Sequence, residues 1–188
     1  MRFMKKPYSI VLLAVLFLAG VVGGYLVFMK VFPQEMPPEG EVESLIVQGD
    51  LFSLRIYYPV NDRLLMEERR LPRRTEHYAI AEATVEEFLK GPVGGVPSAL
   101  PSDARLLGLY KDTDQILYVD LSDEFRRNFQ GDAYTEFFLL KGLYESLISN
   151  VPDIQDVKVL IEGKEIETLG GHLYLLYPLK DTVSSELE

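Results

Sequence analysis

Apolar and polar positions divide the 188-residue chain into two unlike parts. From Pro7 to Met29 no residue carries a formal charge, a run of 23 positions. As a helix rising ~1.5 Å per residue it would cover roughly 34 Å, enough to cross a ~30 Å hydrocarbon layer. Arg2, Lys5 and Lys6 precede the run and Lys30 follows it, with Tyr8 and Tyr25 toward its ends. Basic flanks stay in the cytoplasm and aromatic rings favour the interface, so residues 1–30 are expected to be a cytoplasmic start plus transmembrane signal-anchor. The chain after Lys30 then lies outside the membrane.

Residues 31–50 hold Pro33, Pro37 and Pro38 among acids and show little periodicity. They read as a semi-rigid spacer in which Leu45 to Val47 could begin a strand. From Leu51 onward two periods alternate. Phe52, Leu54, Ile56 and Tyr58 recur every second position, which predicts a strand over 51–58, with a weaker return strand from Leu64 to Leu71. Ile80, Ala81, Thr84, Val85, Phe88 and Leu89 recur every three or four, predicting a helix capped by Thr75 and ended by Gly91-Pro92. A hairpin is expected over 104–110 and 115–121, turning at Lys111 to Asp114. A second helix over 132–149 has Asp132 as its cap, and a strand covers 157–161, with Lys164 to Glu167 as a weak return. Residues 51–180 should thus form one two-layer α+β domain, a mixed sheet packed against two helices, followed by a frayed polar tail over 181–188.

Composition sharpens this picture. The whole chain carries 19 basic and 29 acidic residues, a net charge of −10. Residues 1–30 contribute four positives and no acid, so residues 31–188 stand at −14. Such a balance disfavours nucleic acid, which needs a basic face, and suits solubility or partners with basic surfaces. The chain has no cysteine, which excludes disulfides, thiolate metal sites and cysteine nucleophiles. It also excludes a lipid anchor: Leu18-Ala19-Gly20 resembles the start of a lipoprotein cleavage box, but Val21 stands where the cysteine is required. The apolar run exceeds a signal-peptide core and no clean A-x-A follows, so an uncleaved anchor is expected. Gly20 and Gly24 form a G-x-x-x-G step that would let two such helices approach as a dimer, although glycine is common in membrane helices for other reasons.

Candidate chemistry is sparse. His77 reads as a surface residue, and His172, after Gly170-Gly171, as a turn residue whose ring holds a backbone group. Neither shows a metal-type spacing. Asp112-x-Asp114 fails as a calcium loop because Ile116 occupies the third ligand position; an Asp-rich turn suffices. Asp120, Asp123 and Glu124 around Ser122 could form a paired-carboxylate site, but Ser122 or Asp123 capping a turn that carries Phe125 inward explains them more simply. Glu82, Glu86 and Glu87 read as a solvated helix face, and Arg69, Arg70, Arg73 and Arg74 as a solvated strand end. No nucleophile elbow, P-loop or dinucleotide fingerprint occurs. No catalytic residue, cofactor-binding residue or metal ligand is assigned, and no cofactor is expected.

Several short segments nevertheless follow one another in a specific order: VEEFLKGP (85–92), Leu100-Pro101, YVDLSDEF (118–125), Gly131 and ETLGGH (167–172). In that order they resemble the GerMN domain of GerM-like sporulation and germination proteins, over about residues 50–180. The resemblance implies a compact α+β fold similar to ring-building modules. It also implies a non-enzymatic, extracytoplasmic role in protein contact or envelope assembly, through an envelope partner or self-association. The segment after His172, Leu173-Tyr174-Leu175-Leu176-Tyr177-Pro178-Leu179, departs from the family's acidic, serine-containing stretch and could itself be a contact patch. The competing expectation is a cell-wall hydrolase or ligand-binding module using Asp120, Asp123 and Glu124.

Overall fold

The computed structural model describes residues 15–22, 25 and 51–184. The chain divides into two units, Met1–Gly49 and Asp50–Glu188. In the first, residues 15–22 and 25 are helical, and Val15, Leu16, Phe17, Leu18, Val21, Val22 and Tyr25 are exposed. No helix among the described residues is long and apolar enough to cross a membrane. Most of the expected 7–29 span, Gly24 and the 31–50 spacer lie outside the described residues.

The second unit is a mixed α+β domain. β1 (Leu51–Pro59) and β2 (Leu64–Pro72) form an antiparallel hairpin. α1 (His77–Lys90) follows, then β3 (Leu106–Lys111) and β4 (Ile116–Leu121) as a second antiparallel pair. The short α2 (Glu124–Arg127) leads to α3 (Ala133–Asn150). β5 (Asp156–Ile161) lies parallel to β4, and α4 (Leu179–Ser184) ends the described chain.

The expected single mixed sheet is instead two sheets, β1-β2 and β3-β4-β5. The reason lies on the outer margin of β1. Tyr57 N–H donates to Ser146 Oγ at 2.9 Å, Arg55 N–H to Asn150 Oδ1 at 3.0 Å, and Asn150 Nδ2 to the Arg55 carbonyl at 2.7 Å. Side chains of α3 thus occupy the hydrogen-bonding positions a joining strand would need.

The core gathers Leu54, Ile56 and Tyr58 of β1, Val85 and Phe88 of α1, and Leu140, Leu143 and Leu147 of α3. Leu117, Val119 and Leu121 of β4 and Val157 and Val159 of β5 complete it. Both long helices appear where their periodicity placed them. Asp132 caps α3 by accepting from Thr135 N–H, which holds its carboxyl below the usual carboxylate range. α1 starts later than expected: its first bond runs from Ile80 N–H to the Glu76 carbonyl, and no side chain caps it. Gly91 ends it at φ 80°.

Three expectations are corrected. The return strand at Lys164 is reduced to one bridge to Ile161. Residues 181–184 are not frayed, because α4 buries Leu179 and Val183, one helical turn apart. Neither Arg69 nor Glu87 is a solvated charge. Arg69 bridges Glu67 at 3.0 Å, donates to Tyr58 Oη and the Gly91 carbonyl, and lies over the Tyr58 ring. Glu87 is buried beside it and pairs with Lys90. Their stems lie between β2 and α1, so charge and burial coexist through pairing. Arg74, by contrast, makes an exposed pair with Glu82, and Arg70 is exposed.

Candidate functional site

The polar centre of the domain is a residue the sequence did not single out. Glu136, in the first turn of α3, is fully buried. Its Oε1 accepts from Leu169 N–H and Gly170 N–H, each at 3.0 Å, and its Oε2 accepts from His172 N–H at 3.1 Å. Oε2 also lies 2.9 Å from His172 Nδ1. One carboxylate therefore satisfies three main-chain donors of ETLGGH and the ring that closes it. The expected roles are reversed: Glu136 holds the backbone, and the His172 ring binds Glu136. Gly170 fits because a Cβ there would meet the Phe129 ring at 2.4 Å. The signal available in the sequence was an acid one position off the polar stripe of an amphipathic helix, among residues that face inward.

The loop held in this way continues into residues 173–179. Leu175 and Leu179 point into the core, and Leu175 N–H donates to the Glu167 carbonyl at 2.7 Å. Tyr174 and Tyr177 are turned out, 52% and 70% exposed, with ring centroids 5.9 Å apart. The buried Lys158 donates from its Nζ to the Leu176 carbonyl and pairs with Glu165 at 2.9 Å. The exposed tyrosines thus sit on a segment that the buried Glu136 carboxylate holds at its start, at His172, and that the buried Lys158 ammonium holds between them, at Leu176.

The Asp120, Asp123 and Glu124 cluster does not converge on a common point. Asp120 is buried and accepts from Gly163 N–H at 2.7 Å, fixing the turn after β5. Asp123 Oδ2 and Glu124 Oε1 both bind Arg127, at 3.1 and 2.8 Å. A hydrogen bond from Ser122 holds the Glu124 carboxyl below its ordinary range. Ser122 Oγ also accepts from Arg105 N–H, stitching β3 to the chain after β4, and Phe125 is buried beside it. Glu124 lines an open depression with Asp103, Ala104 and Arg105. Asp120→Ala is therefore expected to cost about 1 kcal/mol of stability, the worth of one buried hydrogen bond, as a lower urea midpoint at unchanged slope.

The remaining candidates, Asp112 and His77, each lie beside nearby partners. Asp112 Oδ1 accepts from the amides of Asp114 and Ile116, and its Oδ2 accepts from Tyr118 Oη, making an Asx turn. His77 is exposed, 3.6 Å from Asp153. No group of three metal-ligating side chains occurs among the described residues.

The comparisons with known proteins bear on the fold. Among solved structures, the tandem GerMN domains of the sporulation protein GerM from Bacillus subtilis match with a TM-score of 0.53 at 20% identity, over 70% of this chain and 48% of that one. This chain thus spans about half the length of the tandem protein. A candidate lipoprotein from Clostridium perfringens matches with a TM-score of 0.50 at 20% identity, over 69% of this chain and 87% of that one. At this identity the likeness concerns the fold. No curated protein sequence matches. The family model Germane, described as sporulation and spore germination, matches residues 55–167. That stretch runs from within β1 to Glu167, beyond the end of β5, and covers more than half of the chain, so the chain belongs to the Germane family of sporulation and spore germination domains.

Proposed function

We propose that this chain is a membrane-tethered module of the bacterial cell envelope whose Germane domain works by protein contact rather than catalysis. The observation that carries this reading is the pair Tyr174 and Tyr177, exposed on a segment that Glu136 and Lys158 fix in place. Aromatic side chains on a rigid support lose little entropy on binding and are enriched at interface hot spots. The family's role in sporulation and germination is consistent with contact in an envelope assembly.

Residues 1–30 supply the anchor in this reading, 31–50 the spacer and 51–180 the exported domain. The charge-free run from Pro7 to Met29 supports the anchor, as do the exposed apolar side chains on helical residues 15–22. The candidate lipoprotein among the structural neighbours is consistent with an envelope setting.

The test is crosslinking in intact cells with the full chain, beside a Tyr174→Ala, Tyr177→Ala double variant. One specific envelope protein should be captured, and the double variant should reduce capture about tenfold or more. Equal capture by both chains, or no specific capture from a membrane-bound and folded chain, would overturn the contact role assigned to the tyrosines.

A further inference from the structure

The two margins of the β1–β2 hairpin are unlike. α3 closes the β1 side, while the phase of the ladder exposes the β2 side. Val60 N–H donates to the Arg63 carbonyl at 2.9 Å, marking the bonded pair nearest the turn. Alternation along the register then makes Tyr58–Leu65, Ile56–Glu67 and Leu54–Arg69 the bonded pairs. The outward use of Tyr57 N–H and Arg55 N–H agrees with this phase. The main-chain groups of Met66, Glu68 and Arg70 therefore point away from β1. All three residues are exposed, and among the described residues nothing bonds to those groups. β2 runs nine residues without a bulge. The edge is long and unbulged, and the charges of Glu68 and Arg70 with the terminal Pro72 restrict which strands can add to it.

What such an edge accepts is set by its side chains. On the solvent side their order is Met66, Glu68, Arg70 and Pro72: apolar, acid, base, apolar. Read backwards, that order is its own complement. Laid antiparallel on a second copy with Arg69 opposite Arg69, each Glu68 meets an Arg70 and each Met66 meets a Pro72. On the other side of the strand, Arg69 is already neutralised within its own chain by Glu67 at 3.0 Å and by Glu87. Like charges directly opposite are avoided on the exposed face, and opposite charges reject strands of other sequence.

We propose that β2 is a homodimerisation strand, pairing edge to edge with β2 of a second copy in this register. The inference rests on the protein-contact reading and names one partner for it, a second copy of this chain.

The absence of cysteine makes the register measurable. Glu68→Cys and Arg70→Cys chains, full length, are expressed separately and together in the membrane and then oxidised. Bonded-pair residues stand ~5.5 Å apart between Cα atoms, within disulfide reach. Identical positions would be offset by two residues, roughly 8–9 Å apart and beyond reach. Crosslinked dimer is expected from co-expression and not from either chain alone.

As a second readout, Glu68→Arg or Arg70→Glu alone should weaken self-association about tenfold, and the double exchange should restore it. No crosslink on co-expression, equal crosslinking by the single chains, or a double exchange as weak as the singles would overturn the proposal. So would a dimer indifferent to these charges but lost on Gly20→Leu, which would assign self-association to the anchor. Capture of another envelope protein through Tyr174 and Tyr177 is scored separately, so the two readings fail independently.

Discussion

Replacement of Glu136 by alanine is expected to lower the stability of the domain by about 3–5 kcal/mol. The carboxylate is fully buried and accepts from three amide N–H groups and approaches the His172 ring. Alanine leaves those donors in a space shaped for two oxygens, and each unmatched buried donor costs about 1–3 kcal/mol. Partial exposure of the His172 side chain lets some water in, which keeps the total below the simple sum. Urea unfolding followed by tyrosine fluorescence suits a chain with 11 tyrosines and no tryptophan. Glu136→Gln should fall between, because its amide oxygen still accepts while its NH₂ confronts donors. His172→Ala, which spares the amide bonds, should cost less than either. A loss under 1 kcal/mol for Glu136→Ala would show that the 167–172 loop is held by something else.

The second large effect runs against helix propensity. Gly142 lies mid-helix in α3, where alanine ordinarily gains up to about 1 kcal/mol. Here a Cβ would stand 2.5 Å from the Tyr57 carbonyl oxygen of β1, and 3.3 Å from the Leu64 and Phe88 side chains. The first obstacle is main chain and cannot rotate away. Gly142→Ala is therefore expected to cost about 2 kcal/mol net, as overpacking outweighs the propensity gain. It should also loosen the bonds from Ser146 and Asn150 to β1, since all three residues lie on one face of α3. Faster hydrogen exchange at the Arg55 and Tyr57 amides would report that shift. A stabilised variant would refute the close approach.

Much of the fold is legible in the sequence because its long elements have clean periods. Leu54, Ile56 and Tyr58 announce a half-buried strand, and Asp132 ahead of an apolar stripe announces α3. The division into two sheets is not legible, because it depends on Ser146 and Asn150 reaching a strand about 90 residues away. Side chains that bond to distant main chain leave no periodic trace. Glu136 leaves a partial trace, an acid among the inward-facing positions of α3, but its partners appear only once the 167–172 loop is folded over it. The ETLGGH segment could be recognised as a motif, while the residue that explains it lies outside the motif. Arg69 and Glu87 were hidden for a different reason: each is charged, and only the packing of β2 against α1 shows that they neutralise one another.

The closure of β1 by α3 also fixes a valency. A hairpin with two open margins could recruit a strand on each side, and the product would grow without limit. With Ser146 and Asn150 occupying one margin, only β2 can accept a strand. A β2–β2 contact uses the same patch on both chains, so it consumes the single open margin of each. Under the proposed β2–β2 contact, assembly through this hairpin would stop at two, with two polar side chains on a helix separating a dimer from a filament.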